Sequence, residues 1–303
     1  MDPKERATYI GGSDTAAILG ISPWKTPLQL YLEKIGEEVE EITPEKQKIF
    51  NRGKRFEPVV AEMLLEEFAN RGHDVEVVAR NERHAHPEFG FLSAEIDLEL
   101  IVDGEPLNAE IKTVHPFAAR DWGEIHTDEI PVHYVAQCLH GQMVTGKNKT
   151  AVAALIGTDD LRLHYVHRDE SLIKHIQRCE LEFWRMIEKR IQPDPINPED
   201  IMRLYEWDNG QPIQASQEVA EAVDNLKAIR IQIKNLEAGK VELEKELKLF
   251  MGENSLLLHD LVPLASWKAH KATRLDTKLL KAEYPELFDK YKKETTVRTF
   301  LIK

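Results

Sequence analysis

The chain has 303 residues, 42% of them hydrophobic, and a net charge of −13, which suits one large domain or two smaller ones with real cores. The negative charge argues against a protein that coats nucleic acid with an evenly basic surface, although it leaves room for a local basic channel. The sequence has no apolar run long enough to span a membrane, no signal-peptide pattern and no metal-type spacing of Cys138 and Cys179, so we expect a cytoplasmic protein with reduced thiols and no membrane contact.

The first predicted element is a short helix that begins at a Gly-Gly turn. Ser13 follows the two glycines as a candidate N-cap, and Gly20 is a natural stop. A helix N-terminus preceded by glycines can bind a phosphate through its backbone N–H groups. The alternative is an ordinary capped helix without a ligand, and the pattern alone is compatible with both.

Two further helices are predicted at Thr-Pro pairs, because proline is favoured at the first helical position. One runs from Thr26 to Gly36, and the next begins at Thr43. The later helix carries Glu57 among basic residues, for which an exposed charged helix face is the simple interpretation. An edge strand over Val75–Ala79 follows.

The central feature of the sequence is a predicted hairpin over residues 91–114. Asp103-Gly104 indicates its two-residue turn, because a type I′ turn needs positive φ at both central positions. Counting back from this turn places Asp97 directly opposite Glu110, and facing residues of an antiparallel pair have Cβ atoms roughly 4.5–5.5 Å apart.

Lys112 completes a polar group on this hairpin. It lies two residues after Glu110, so its side chain leaves the same face of the strand. Two carboxylates as close as Asp97 and Glu110 repel each other unless a cation lies between them, and such oxygen ligands suit Mg²⁺ or Mn²⁺. The alternative is a solvated strand face on which Lys112 offsets two acids. The apolar neighbours favour a site, since buried charges are costly unless they are paired or bind a metal.

The segment after the hairpin predicts a helix, a second hairpin and a long helix. In chain order these elements are Tyr134–Val144, Ala151–Ile156, Leu161–Val166 and Asp169–Ile191. On the first of these helices Gln137 and His140 are three residues apart and share a face.

A proline-rich stretch, 196–212, predicts a linker between a domain at 1–195 and an extension at 213–303. The extension opens with a long amphipathic helix, Val219–Phe250, either a coiled-coil arm or a helix docked on the core. Two short strands around a helix are expected next, over Leu261–Trp267, Asp276–Tyr291 and Val297–Ile302. The tail Ala265–Lys303 is basic, with ten Lys and Arg against five Asp and Glu.

Several ordered motifs give the chain a resemblance to a known family. They are Ile-Gly-Gly-Ser-Asp with Ser-Pro-Trp, Arg-Gly…Glu-Pro, His-Pro-Glu-Phe…Ile-Asp, Glu-Ile-Lys at 110–112 and Tyr-Val-Ala-Gln. Over about residues 6–190 the chain resembles the YqaJ-type phage recombinases, relatives of phage lambda exonuclease among the PD-(D/E)XK nucleases. The resemblance implies an α/β (α+β) fold at 1–195, with a restriction-endonuclease-like core whose central mixed sheet is flanked by helices. It also implies a helical extension with a small α/β part.

The same resemblance implies a role for each matched residue. The implied ligands of Mg²⁺, or of Mn²⁺ as a substitute, are Asp97, Glu110, Glu57 and the backbone carbonyl of Ile111. Lys112 should orient or deprotonate the attacking water and steady the developing charge. Gln137 should help to position that water or the phosphate. The implied chemistry is in-line hydrolysis of a phosphodiester.

Arg6 and Ser13 are implied to hold the 5′-phosphate of the degraded strand. Their separation of seven residues is the spacing by which lambda-type exonucleases do so, and a planar guanidinium forks well onto phosphate. Glu95, two residues before Asp97, departs from the family pattern, because relatives tend to have a small or neutral polar residue there. Its charge would repel a phosphate.

The activity implied is a Mg²⁺-dependent exonuclease that degrades double-stranded DNA from its ends, 5′ to 3′. Its single strands would pass to a single-strand annealing recombinase, and lambda-type relatives form ring trimers around DNA, so a homo-oligomer is expected. Two alternatives stay open: an endonuclease or nickase on the same core, and a DNA-binding or assembly module without catalysis. The intact set of four charged residues speaks against the module.

Overall fold

The computed structural model describes residues 3–38, 42–124, 126–294 and 296–303. The chain forms two compact units, Met1–Ile201 and Met202–Lys303. The first unit contains the α-helices α1 (Pro3–Arg6), α2 (Gly12–Ile18), α3 (Pro27–Lys34), α4 (Pro44–Asn70), α5 (Val132–Thr145) and α6 (Glu170–Lys189), and a short 3₁₀ helix at Pro116–Asp121. Its strands are β1 (Ile10–Gly11), β2 (Val75–Ala85), β3 (Leu92–Val102), β4 (Glu105–Val114), β5 (Lys149–Ile156) and β6 (Asp160–His167).

These strands form one mixed sheet in the order β1-β3-β4-β5-β6, with β2 also paired to β3. The pairs β1–β3 and β4–β5 are parallel, and β2–β3, β3–β4 and β5–β6 are antiparallel. The α/β fold with a central mixed sheet flanked by helices is therefore confirmed. The predicted edge strand at Val75 extends to Ala85.

Two apolar clusters cover the two faces of the sheet. Alternate residues of β5 belong to different clusters: Val152 and Ala154 pack on the side of α5, and Ala151 and Ala153 on the side of α4. The strand is apolar at consecutive positions because helices cover both of its faces. The α5 face of the neighbouring strand β4 carries the polar group predicted from the sequence.

The hairpin turn between β3 and β4 is confirmed. Asp103 and Gly104 have φ angles of 51° and 84°, and the strands pair from Val102–Glu105 back to Leu98–Ala109. Regular pairing ends there, one position short of Asp97.

The N-cap predicted for α2 is wrong. The N-cap of α2 is Gly11 and not Ser13, because the side chain of Asp14 reaches back and accepts a hydrogen bond from Gly11 N–H at 3.0 Å. The helices predicted at the two Thr-Pro pairs are confirmed as α3 and α4, and the hydroxyls of Thr26 and Thr43 cap them.

The second unit contains the predicted long helix and a small β-hairpin. The helix is α8 (Gln217–Met251). The short helix α7 (Pro198–Leu204) precedes it, begins in the first unit and lies in the segment predicted as a linker. Strands β7 (Leu256–His259) and β8 (Val262–Ser266) pair with each other. Of these, β8 corresponds to the strand predicted at Leu261–Trp267. The division into nuclease domain, linker and extension stays a prediction.

Two predictions for the tail are wrong. The helix expected at Asp276–Tyr291 is two short helices, α9 (Thr277–Glu283) and α10 (Pro285–Tyr291), because proline starts a helix readily but does not continue one. Residues 297–302 are irregular. Among the described strands, β7 and β8 pair only with each other. The alternating apolar residues of segment 297–302 therefore have no strand to pair with. No helix in the described ranges has the length and apolar character needed to cross a membrane.

Candidate active site

Asp97 lies where β3 stops pairing regularly with β4. Ile96 packs in one apolar cluster and Leu98 in the other, although residues two apart in a regular strand share a face. At this irregularity the Asp97 carboxylate meets β4, where its Oδ2 accepts a hydrogen bond from Ile111 N–H at 2.7 Å. Asp97 thus reaches β4 through a side-chain contact, without the regular backbone pair with Glu110 that the turn predicts.

Glu110, Lys112 and Gln137 form one hydrogen-bonded group next to Asp97. The Lys112 ammonium makes an ion pair with the Glu110 carboxylate, which is 9% exposed. Gln137 Nε2 donates to the same carboxylate oxygen at 2.6 Å, and Lys112 Nζ donates to Gln137 Oε1 at 3.3 Å. Strand β4 and helix α5 therefore bring three of the predicted site residues into direct contact.

Burial and charge shift the pKa values of this group. Burial, and then repulsion from Glu110, raise the pKa of Asp97 well above its ordinary value. Burial lowers the pKa of Lys112, but attraction to Glu110 and Asp97 outweighs it and raises that pKa. Lys112 is therefore an ammonium at neutral pH, which suits a hydrogen-bond donor to water or phosphate and does not suit a proton acceptor.

The donor set fits a divalent metal in its chemistry. Asp97 and Glu110 offer carboxylate oxygens whose mutual repulsion a cation would relieve. Within the described ranges, no group of three or more His, Cys, Asp or Glu side chains is arranged to hold a metal ion. Glu57 is half-buried on α4 and is thus outside a common metal group with the two acids, although its charge helps to raise the pKa of Asp97. The ligand set of Asp97, Glu110, Glu57 and the Ile111 carbonyl stays a prediction.

Arg6 and Ser13 also meet, at the start of α2. Arg6 Nη2 donates to Ser13 Oγ at 3.0 Å and to Asp14 Oδ1 at 2.6 Å, and the Arg6 side chain is 33% exposed. Burial lowers the pKa of Arg6, but Asp14 and, more weakly, the exposed Glu95 raise it overall. The guanidinium is held in place and remains open to an anion, with a carboxylate nearby.

A buried ion pair that sequence reasoning missed supports Arg6 from behind. Lys34 Nζ donates to Asp14 Oδ2 at 2.8 Å and to the carbonyls of Arg6 and Tyr9 at 2.6 and 2.5 Å. Burial alone would raise the pKa of Asp14, but Lys34 and Arg6 lower it. Nothing in the sequence indicated this pair, because a lysine in the last turn of a helix is ordinary.

Helices α2 and α5 approach each other closely beside the hairpin. A Cβ atom placed on Gly12 would lie 3.2 Å from Gln137 Cγ and 3.4 Å from the Gln137 carbonyl oxygen. The absence of a side chain at Gly12 thus lets the start of α2 approach the residue that contacts Glu110 and Lys112.

A second buried pair lies one turn beyond Gln137. His140 contacts Glu180 Oε1 through Nδ1 at 2.8 Å and the Ser93 carbonyl through Nε2 at 3.1 Å. Thr15 of α2 donates to the same Glu180 oxygen at 2.6 Å. Burial opposes protonation, but Glu180 raises the pKa of His140 overall, which favours the imidazolium form with an N–H toward each acceptor. The sequence indicated His140 beside Gln137 but not its partner on α6.

Sequence comparisons find one family and one long relative. The profile of the YqaJ-like viral recombinase domain matches residues 4–148. A protein of Bacillus subtilis strain 168, named "Uncharacterized protein YqaJ", is 30% identical over 307 residues, which cover 99% of this chain and 92% of that protein.

Structure comparisons find exonucleases at low similarity. An alkaline exonuclease from Laribacter hongkongensis, LHK-Exo, has a TM-score of 0.47 and 16% identity, over 62% of this chain and 91% of that one. A phage-related exonuclease from Haemophilus somnus 129PT has a TM-score of 0.42 and 13% identity, over 60% of this chain and 95% of that one.

Proposed function

The chain belongs to the YqaJ-like viral recombinase family, and on that premise we propose that it is a Mg²⁺-dependent deoxyribonuclease. The observation that carries the proposal is the ammonium of Lys112, paired with a buried Glu110, held by Gln137, and adjacent to a second acid on β3. A scaffold would gain little from so many charges at the end of one hairpin, since buried charges are costly.

The residues divide the work of phosphodiester hydrolysis among them. Asp97 and Glu110, with the Ile111 carbonyl and Glu57, would hold Mg²⁺, which supplies charge stabilisation for the attacking and leaving oxygens when bound. Lys112 stays protonated and donates to the attacking water or to a phosphate oxygen, where it opposes the developing negative charge.

Gln137 acts as a positioning residue in this proposal. Its amide nitrogen restrains the Glu110 carboxylate and its amide oxygen restrains the Lys112 ammonium. Both charged groups are thereby kept in one orientation before the substrate arrives, which is how a fixed polar site lowers the reorganisation needed for reaction.

We further propose that the enzyme resects linear double-stranded DNA from its 5′ ends. Arg6 and Ser13 would receive the 5′-phosphate, and the product strand would pass to a single-strand annealing recombinase in the cytoplasm. A homo-oligomer, with a ring trimer as the specific arrangement, would let an acidic protein keep its positive field toward the DNA.

The test uses Mg²⁺, a linear duplex labelled at each 5′ and 3′ end, and a covalently closed circle. Release of nucleotides from the 5′ ends with an intact circle is the expected result. A nicked or cut circle would replace the exonuclease by an endonuclease, and inertness on both DNAs with Mg²⁺ and Mn²⁺ would favour the binding module.

Lys112→Ala ties this activity to the site. We expect the rate to fall by about 10²–10³-fold, as when a donor to developing charge is removed, while duplex binding persists. Lys147→Ala is the matched control, because Lys147 pairs with Glu99 at 3.8 Å, outside the site. Full activity of Lys112→Ala would refute the assignment of the site.

A further inference from the structure

Three aromatic rings lead from the Lys112 ammonium to the protein surface. The Tyr134 ring centre is 4.9 Å from Lys112 Nζ, and the His133 ring centre is 4.2 Å from that of Tyr134. Trp24 follows, with its ring centre 4.6 Å from His133 in an edge-to-face arrangement. The first turns of α5 therefore present aromatic residues next to Gln137, and the loop before α3 adds an indole.

The outermost ring is open to solvent. Trp24 is 65% exposed, and its backbone N–H is held by Ser22 Oγ at 3.2 Å at the Ser-Pro-Trp turn. Single exposed aromatic residues are common on proteins, so exposure alone does not indicate a site. The position of this one, at the end of a ring series that starts at the candidate catalytic ammonium, does.

His133 gives a second and independent indication. Its Nε2 is buried and has no hydrogen-bond partner among the described residues, which is unusual for a buried polar atom. Burial and the charge of Lys112 lower the pKa of His133, so the ring is neutral at physiological pH. A neutral aromatic ring next to Trp24 can stack on a base through its π face.

We propose that Trp24 and His133 bind one unpaired nucleobase of the strand whose phosphate lies at Lys112. The inference rests on the proposed nuclease function and adds to it a site for the base. Stacking on aromatic side chains suits this task because every base offers a π face, so binding needs no particular sequence. A base held here has left its duplex partner, and the enzyme would therefore prefer ends that open easily.

The test combines a variant of the full chain with a change in the DNA. Binding is measured by fluorescence anisotropy in a chelator, which prevents hydrolysis, with 5′-phosphorylated single strands that are intact or carry one abasic residue at each of the first three positions. Trp24→Ala should weaken binding of the intact strand roughly tenfold. At one abasic position the loss should vanish, because no base remains to stack.

Two variants serve as controls. Trp24→Phe keeps an aromatic face and should restore most of the affinity. Trp207→Ala removes another exposed tryptophan, 74% exposed, and should change nothing. Equal losses with intact strands and with every abasic strand would overturn the proposal, since Trp24 would then act without contact to a base.

The outcomes also separate this inference from the proposed function. Cleavage that depends on Lys112, without any coupling between Trp24 and the abasic positions, refutes the base site and leaves the nuclease standing. Coupling in the binding assay, combined with full activity of Lys112→Ala, refutes the catalytic assignment and leaves a site for single-stranded DNA.

Discussion

Asp97 connects the chemistry of the site with the stability of the fold. Its pKa is raised above the ordinary value of 3.8, so the folded chain binds this proton more tightly than the unfolded chain does. Folding therefore loses stability as the pH rises from 3.8 through the folded pKa, because the charge that forms is buried beside Glu110. Such strongly shifted pKa values are common at functional sites.

We predict that Asp97→Asn stabilises the metal-free protein while cleavage is lost. At neutral pH in a chelator the melting temperature should rise by about 2–4 °C, equivalent to roughly 1 kcal/mol for a chain of this size. Well below pH 3.8 variant and wild type should melt together, since Asp97 is then protonated in both the folded and the unfolded state. Thermal melts across this pH range measure the difference.

The control for this prediction is Asp159→Asn, which removes an exposed acid in the turn after β5. At every pH its melting temperature should be nearly equal to that of the wild type. A lower melting temperature for Asp97→Asn at neutral pH would mean that the hydrogen bond from Ile111 outweighs the repulsion, contrary to the argument.

In the proposed function, recognition of a 5′-phosphate depends on Arg6. Removing a hydrogen bond to a charged group costs ~1.5–3 kcal/mol. We therefore expect Arg6→Ala to slow the cleavage of DNA with 5′-phosphorylated ends by about 10- to 100-fold. The cleavage rate on ends with a 5′-hydroxyl should hardly change. Glu95→Gln should increase the preference for phosphorylated ends over hydroxyl ends. Initial rates on both kinds of duplex give the ratio.

Arg80→Ala is the matched control for Arg6, because Arg80 is an exposed arginine that pairs with Glu62 at 3.1 Å. Asp14 keeps Lys34 as a partner when Arg6 is removed, so the variant should remain folded, which a thermal melt checks. Equal slowing of both kinds of end would remove the phosphate pocket from the proposal.

At the scale of elements, the contact between α2 and α5 bears directly on the proposed site. Gly12→Ala would bring a methyl group within 3.2 Å of Gln137 Cγ, and Gln137 holds both Glu110 and Lys112. We expect the turnover rate to fall by up to about 10²-fold with little change in DNA affinity, because a misplaced positioning group affects the reaction more than binding.

Gly239→Ala provides the comparison for Gly12→Ala. Gly239 lies inside α8, and a Cβ atom added there would meet no atom within 4 Å. The substitution should therefore stabilise the helix by about 0.5–1 kcal/mol without effect on turnover. A Gly12→Ala enzyme as fast as wild type would show that Gln137 tolerates displacement and would argue against its role.

The elements also show where sequence reasoning succeeds. The β3–β4 turn could be predicted, because Asp103-Gly104 suits the φ angles that it adopts. The position of Asp97 could not be counted back from that turn, since the count assumes regular alternation and β3 is irregular between Ile96 and Leu98. Local chemistry determines a turn, but an irregularity inside a strand depends on the helices packed on either side.

The long-range ion pairs could not be predicted from the sequence, for a related reason. Asp14 meets Lys34 across 20 residues, and His140 meets Glu180 across 40 residues. Each residue lies on a helix whose apolar face is readable by itself, but the contact depends on how two helices are rotated and spaced. The family resemblance brought together Glu110, Lys112 and Gln137 by position, and it could not supply the buried partners that hold α2, α3 and α6.

For the whole molecule, the distribution of charge decides how an acidic protein can bind DNA. The net charge is −13, yet the tail Ala265–Lys303 carries twice as many basic as acidic residues. Affinity for duplex DNA comes largely from contacts to phosphates, each of which releases counterions. A basic tail on an acidic chain can therefore supply non-specific affinity that the rest of the surface would oppose.

We predict that the tail makes phosphate contacts through the irregular segment after β8. Replacing three exposed basic residues of this segment by glutamine should make the negative slope of log affinity against log salt concentration less steep by about 2–3, since each phosphate contact contributes ~0.9 to its magnitude. The three substituted residues are Lys268, Lys271 and Arg274. Turnover on short duplexes at low salt should be retained, because the residues of the proposed site are unchanged.

The control substitutes three ion-paired lysines of α8, namely Lys240, Lys245 and Lys248, whose charges are already offset by glutamates. Equal salt slopes for the tail variant and the wild type would show that the tail does not bind DNA and would leave its basic character to another partner.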